Sequence, residues 1–441
     1  MRSILLVLMA CTADKSGLDS AALDEDGDGL SADEDCDDHD PSADYNRDWY
    51  GELTLDAVGD LCTGSCGIHV YGDLVIQSTD ATDLAALSCV DFVDGGVTIS
   101  DNAYLTDLSG LNGLWDIGPD FTEWEGWRGR SGAGLEISDN PALEVIDGFE
   151  SLTRLANTLF IENNASLKRI AGFPLLNATI TSYELQHVRI AYNPELEVID
   201  GFESLELLGY IDESSLVVTD NDSLTAISGF GALGELEELI IAGNDSLTDL
   251  SGLGALEELQ VLEISHNSSL SDISMFNDIE SAYTVTLSDN ASLQDISGMN
   301  RINADGGNLW ELTIKDAPAL TRISGLSGLG AGQLETADVS LSGCTSLGDL
   351  DFLTGVTALG SLQLVGEHAL TDLSGLEGLT TLEYDLDLED NDGLVDVSAL
   401  YGLESVGRDV TILDNDALPE GAASALVDEI GTIGGEVEVQ D

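Results

Sequence analysis

The chain has 441 residues, with 13 Lys and Arg against 84 Asp and Glu, and a formal net charge of −71. Such charge argues against nucleic acid and anionic membranes as partners, because phosphates select Lys and Arg. Hydrophobic residues make up 43% of the chain and recur periodically, which excludes a disordered acidic polymer and favours cations or a salty milieu around a folded one.

The first elements concern address. Met1-Arg2 precedes an apolar run, Ile4–Ala10, which is too short to span a bilayer. Leu8-Met9-Ala10-Cys11 resembles a bacterial lipoprotein signal (residues 1–11), which implies lipidation of Cys11 and anchoring by several acyl chains. Thr12 after the Cys resembles proteins sent on to the outer membrane, surface-exposed or facing the periplasm. A tether follows over 12–45, small and polar at first and then strongly acidic.

Within it, "DEDGDGLSADEDCDDHDP" (24–41) carries Asp24, Asp26 and Asp28 at alternate positions, then Gly29, and Asp35 at position twelve. A hard cation wants six to eight oxygen ligands, and the Gly permits the sharp turn, so this order points to structural Ca²⁺. Asp33, Asp37, Asp38 and Asp40 could complete a second site. Position twelve is Asp rather than a bidentate Glu, so the segment resembles thrombospondin type 3-like calcium motifs more than an EF-hand.

Residues 46–95 form an N-terminal cap. Cys36, Cys62, Cys66 and Cys89 are an even set in an exported chain, which predicts two disulfides with three pairings open. "DLVIQSTDATDLAAL" (73–87) reads as a first, imperfect coil.

From 96 to 418 one sentence recurs thirteen times: apolar-x-apolar-x-x-Asn-x-x-Leu-x-x-(Ile/Leu)-x-Gly-(Phe/Leu). The Asn slot falls at Asn102, Asn140, Asn164, Asn193, Asn221, Asn244, Asn267, Asn290, Ala317, Cys344, Glu367, Asn391 and Asn415. Spacings of 23 to 29 residues, with one of 38, predict a repeat solenoid in which each coil buries its apolar face on its neighbours. The apolar-x-apolar step is a short strand with two inward side chains; Asn turns the chain and hydrogen-bonds adjacent coils. Thirteen strands stacked about 4.8 Å apart give a parallel sheet roughly 60 Å long. Cys344, in an Asn slot, reads as a buried free thiol.

Three features break the repeat. The long second spacing holds "LWDIGPDFTEWEGWRGRSGAG" (114–134), with Trp115, Phe121, Trp124, Trp127, Arg128 and Arg130. Insertions leave a solenoid as loops on one face, and Trp and Arg dominate interaction hot spots. Basic residues concentrate from Arg128 to Arg189, where Arg189 and Phe160 project outward from successive strands; residues 190–300 have none. This is either an anion or carbohydrate spot or plain neutralisation of carboxylates. Lastly, Asp stacks in fixed slots: Asp249, Asp272 and Asp295; Asp349, Asp372 and Asp396; and recurrently just before the Asn. Two charges 4.8 Å apart repel by roughly 0.9 kcal/mol even in water, so such columns need turn hydrogen bonds, cations or salt. His39, His69, His187, His266 and His368 are scattered, and no catalytic constellation stands out.

The wording of the repeat resembles receptor L-domain repeats and, more distantly, leucine-rich repeats of bacterial internalin-type surface proteins, over about 70–441. The ending resembles the C-terminal cap of such proteins (419–441), a short helix and a last strand, with Gly421 where a Cys would stand. The resemblance implies a right-handed solenoid, one parallel sheet on the strand face, mostly β with few helices. It also implies binding of a protein or glycan at a cell surface through the sheet face and the 114–134 loop, without catalysis. A structural, calcium-dependent envelope or matrix component is the alternative.

Overall fold

The computed structural model describes residues 47–58, 62, 67–118, 134–177, 185–209, 214–302, 309–326 and 337–440. Cys11, the acidic segment 24–41, Cys36, Cys66, Trp124, Trp127, Arg128 and Arg130 lie outside the described residues.

Every strand pairing is parallel, and the chain is a β-solenoid. Its main sheet has 16 strands, from Leu53–Thr54 to Val437–Val439. Thirteen of these lead into the Asn slots; two precede them and one follows. The segment 73–87 is a full coil, its strand Leu74–Gln77 pairing with Val97–Ser100. Along each strand, buried and part-exposed residues alternate, as in Leu239 and Ile241 against Ile240. The Leu, Ile/Leu and Phe/Leu that follow complete the core, and Leu143, Ile146 and Phe149 are wholly buried. Phe149, Phe173, Phe202 and Phe230 stack ring on ring at 5.2, 5.1 and 4.7 Å.

Shorter parallel sheets line the flanks. Arg47–Tyr50, Ile68–Tyr71, Val90–Val93, Asp116–Ile117 and Arg154–Leu155 form one, in that order, on the corner that leads into the main sheet. Where Gly precedes the Phe/Leu, coils approach closely: a Cβ on Gly201 would lie 2.1 Å from the Gly172 carbonyl oxygen. The C-terminal helix Ala422–Glu429 closes the stack with Ala423 and Leu426 buried, and Gly421 begins it in the left-handed region at φ 84°.

The Asn slots form a continuous ladder. Asn193 shows the unit: its Nδ2 donates to the Ile161 carbonyl of the preceding coil and to its own Ala191 carbonyl, both at 2.9 Å. Its Oδ1 accepts from the Asn164 N–H at 3.0 Å, and its own N–H donates to Asn221 Oδ1 at 3.1 Å. Thr79 starts the run, its Oγ1 donating to Asn102 Oδ1 at 2.8 Å. The residue before each of the thirteen slots has positive φ, from 50° at Asp316 to 72° at Gly343. Asp, Asn and Gly tolerate that region, which explains the recurrent Asp there; His266 and Tyr192 are the two exceptions.

The three slots without Asn differ in kind. Ala317 offers no side-chain partner. Cys344 is a buried free thiol whose Sγ lies 3.8 Å from the Ile314 carbonyl, and burial pushes its pKa up to about 12. Glu367 is fully buried; its Oε1 accepts from the Cys344 N–H at 2.9 Å, while Oε2 has no hydrogen-bond partner. Desolvation raises its pKa from 4.5 to about 7, against the opposing pull of the Cys344 N–H and His368. Of the predicted disulfides, Cys62–Cys89 is formed, with Cα atoms 5.3 Å apart.

Two outcomes follow from the ladder. Asn193→Ala leaves the Asn164 N–H and two carbonyls without their partner and should cost about 2–4 kcal/mol in urea unfolding. A loss within experimental error would show the ladder to be incidental. Glu367 holds its proton longer in the native state, so its contribution is complete below pH 4.5 and is lost as pH rises through about 7. Glu367→Gln should therefore match the parent at pH 4.5 and exceed it by about 2–3 kcal/mol at pH 8. Stability curves that stay parallel across that window would refute the assignment.

Candidate functional site

The five-stranded flank carries an aromatic row. Parallel, in-register strands place equivalent side chains in contact, and here the register pairs Tyr50 with Tyr71 and His69 with Phe92. Tyr50 stacks on Tyr71 at 5.0 Å, and His69 on Tyr71 at 4.3 Å. His69 meets Phe92 edge-on at 3.8 Å, and Phe92 lies 5.7 Å from Trp115. Both ends of the row face solvent: Tyr50 is 74% exposed and Trp115 44%. Phe92 is buried in the middle of the row, and His69 Nε2 is buried without a hydrogen-bond partner. Asp91 beside it has a raised pKa, chiefly from burial, partly offset by its own and Phe92's backbone amides and by His69. Trp115 stands just before the undescribed residues 119–133, so the row runs to the base of the insertion.

The basic residues near it are paired across coils. Arg154 meets Asp116 at 2.6 Å, Lys168 meets Glu144 at 2.9 Å, and Arg169 grips Asp200 through both Nε and Nη2. Arg189 projects from its strand beside Phe160 and Val217, but its Nε pairs with Glu162 and its guanidinium lies 5.8 Å from the Tyr192 ring centre. These four cations neutralise local carboxylates, so among the described residues no unpaired cation stands beside Phe160.

The stacked Asp slots act as turn caps. Asp249, Asp272, Asp372 and Asp396 each accept the N–H two residues on, at 2.8–3.0 Å. Asp372 and Asp396 have lowered pKa values, held down first by hydrogen bonds from Ser374 and Ser398 respectively. Asp295 joins Arg322 and Ser324 of the next coil instead. A different acidic group lies on the C-terminal strand face, where Asp338, Asp385, Asp387 and Asp409 line a shallow cavity of about 420 Å³. Gln363 bridges Ser340 to Asp387 there, and Oδ1 of both Asp338 and Asp387 is buried without a hydrogen-bond partner. On the turn ridge, His368, Asp390 and Asp392 present ligand atoms within 4.8 Å of one another.

Tyr50, Tyr71 and His69 were not legible as a site, because Tyr50 lies one coil before the strand that carries His69 and Tyr71, and Phe92 and Trp115 lie in later coils. A second aromatic pair, Tyr283 stacked on Trp310 at 4.7 Å, was equally hidden. The 27-residue spacing from Asn290 to Ala317, which contains Trp310, is the one sequence trace of it.

No protein-family model matches the sequence, and no curated protein does. Among solved structures, the chain is similar to one described as "Crystal structure of TLR13-ssRNA13 complex". Identity there is 13%, the match covers 88% of this chain and 75% of that one, and the TM-score is 0.15. The architecture therefore stands on this chain's own hydrogen bonding: a parallel β-solenoid whose neighbouring coils complete one another.

Proposed function

We propose that this chain is a non-catalytic binding scaffold that recognises a protein or glycan at a cell surface. The observation that carries it is the aromatic row from Tyr50 to Trp115, exposed at both ends and leading to the Trp- and Arg-rich insertion. Exposed rings on a rigid sheet supply contact area at little conformational cost, and stacked Tyr and Trp suit either sugar faces or apolar side chains. In this reading a lipid on Cys11 tethers the solenoid to the outer membrane, and the acidic segment 24–41 binds Ca²⁺ to stiffen the tether.

The second reading, a calcium-dependent envelope or matrix component, draws support from the acidic strand face. Asp338 and Asp387 each keep a buried oxygen without a protein partner, and hard cations favour such oxygens. The two readings separate in one experiment. Pull-down of cell-surface glycans and proteins by the full chain should persist in chelator. It should fall at least tenfold in Tyr50→Ala/Trp115→Ala, two exposed sites whose loss spares the core. Retention that ignores those substitutions, together with Ca²⁺-driven self-association, would replace the first reading by the second.

A further inference from the structure

A second site lies in the central coils, on the same strand-leading corner but away from the N-terminal row. One wall is a register column. Ser215, Glu238, Val261, Thr284 and Glu311 are mutual partners in the main sheet, so the residues just before them line up as well. These are Ser214, Glu237, Gln260, Tyr283 and Trp310. The opposite wall is the bridge column Leu207, Glu235, Glu258 and Ser281, paired in parallel coil by coil. Between the columns runs a groove of about 280 Å³ with Leu208, Leu236 and Leu259 along its floor.

Its chemistry is one-sided. Glu235, Glu237 and Glu258 line it; Glu235 and Glu258 are exposed, and no ion pair joins either of these two to a described residue. Residues 190–300 contain no Lys or Arg, and Arg301 just beyond them pairs with Asp278 and Glu280. That contrasts with the N-terminal coils, where Arg154, Lys168, Arg169 and Arg189 are each matched to a carboxylate of a neighbouring coil. At one end Tyr283 closes the groove, and Trp310, 55% exposed, stacks on it with ring planes 10° apart. Carboxylates attract an ammonium, ring faces attract it through their quadrupole, and leucines accept the methylenes beside it.

We infer that this groove binds an alkylammonium group, as borne by a lysyl side chain or a linear polyamine. The aliphatic stem lies along Leu208, Leu236 and Leu259, with the ammonium between Glu235 and Glu258 and the chain running toward the Tyr283–Trp310 stack. Neutral sugars would not need two exposed carboxylates side by side with no described cation paired to either, and an anion would be repelled.

Calorimetry on the full chain with spermidine, with an acetylated tetralysine peptide and with 1,5-pentanediol tests it. Both amines should bind and the uncharged diol should not; the tighter amine identifies the natural source as free polyamine or lysyl side chain. Because the whole chain is anionic, a remote pair serves as control. Glu235→Gln/Glu258→Gln should weaken binding about tenfold or more, and Trp310→Ala several-fold, whereas Asp222→Asn/Asp245→Asn on the turn ridge changes little. Equal losses from both carboxylate pairs would reduce the effect to the chain's overall charge and overturn the site. So would diol binding comparable to that of the amines. Melting curves confirm that the variants are folded, and Tyr50→Ala/Trp115→Ala should leave amine binding intact, keeping this result separate from the N-terminal row.

Discussion

The fold depends on buried asparagines that only the neighbouring coil can satisfy. Asn140, Asn164, Asn193, Asn221, Asn244 and Asn267 are wholly buried in an apolar interior, where an unpaired amide costs a few kcal/mol. Each Nδ2 finds a carbonyl in the coil before it, and each Oδ1 an N–H there, so no coil is complete alone. Stability is therefore a nearest-neighbour property, and the ends need closure. Thr79 supplies that at the start, and the helix Ala422–Glu429 covers the coil that ends the run.

Charge is accommodated by the same geometry. A column of carboxylates at strand spacing is self-repelling, yet the solenoid gives many of them a fixed partner. Asp before the Asn slot relieves a left-handed turn, and Asp six residues after it caps the next one. In the N-terminal coils Arg and Lys bridge between neighbours, for example Arg169 to Asp200. Carboxylates outside these arrangements, such as Glu235 and Glu258 or Asp338 and Asp387, remain concentrated on particular faces. Those faces are where the chain's charge is available to a partner.

The sequence was informative where one coil's residues suffice to state a rule. The strand step, the Asn ladder, the core Leu and Phe, and the buried Cys344 all follow from one repeat read against its neighbours. Register-dependent features were not readable, because coil lengths vary from 23 to 29 residues and one insertion lengthens a coil to 38. Tyr71 meets Tyr50 across 21 residues and Trp310 meets Tyr283 across 27, and composition gives no hint of either alignment. The left-handed residue before each slot was also missed as a cause, although its Asp preference was visible. Arg189 shows the converse: its outward position was readable, but its pairing with Glu162 needed the coil alignment.

Both aromatic sites occupy the corner that leads into the main sheet, and there is a physical reason for that position. The strand face and the Asn turn are fixed by the ladder, so a substitution there disturbs two neighbours at once. The leading corner is held mainly by short two-residue strands and isolated bridges, such as Glu235 to Glu258. In the sequence, the longer coils carry their extra residues between the core Phe/Leu and the next strand, as the spacing of 38 from Asn102 to Asn140 shows. Side chains at this corner can therefore vary coil by coil without breaking the stack. A solenoid whose repeat is uniform inside can thus carry different binding chemistry at different points along one edge: aromatic at the N-terminal end, acidic and aromatic in the middle. In the proposed binding role, specificity would come from which residues stand side by side in register, and the ladder holds that register.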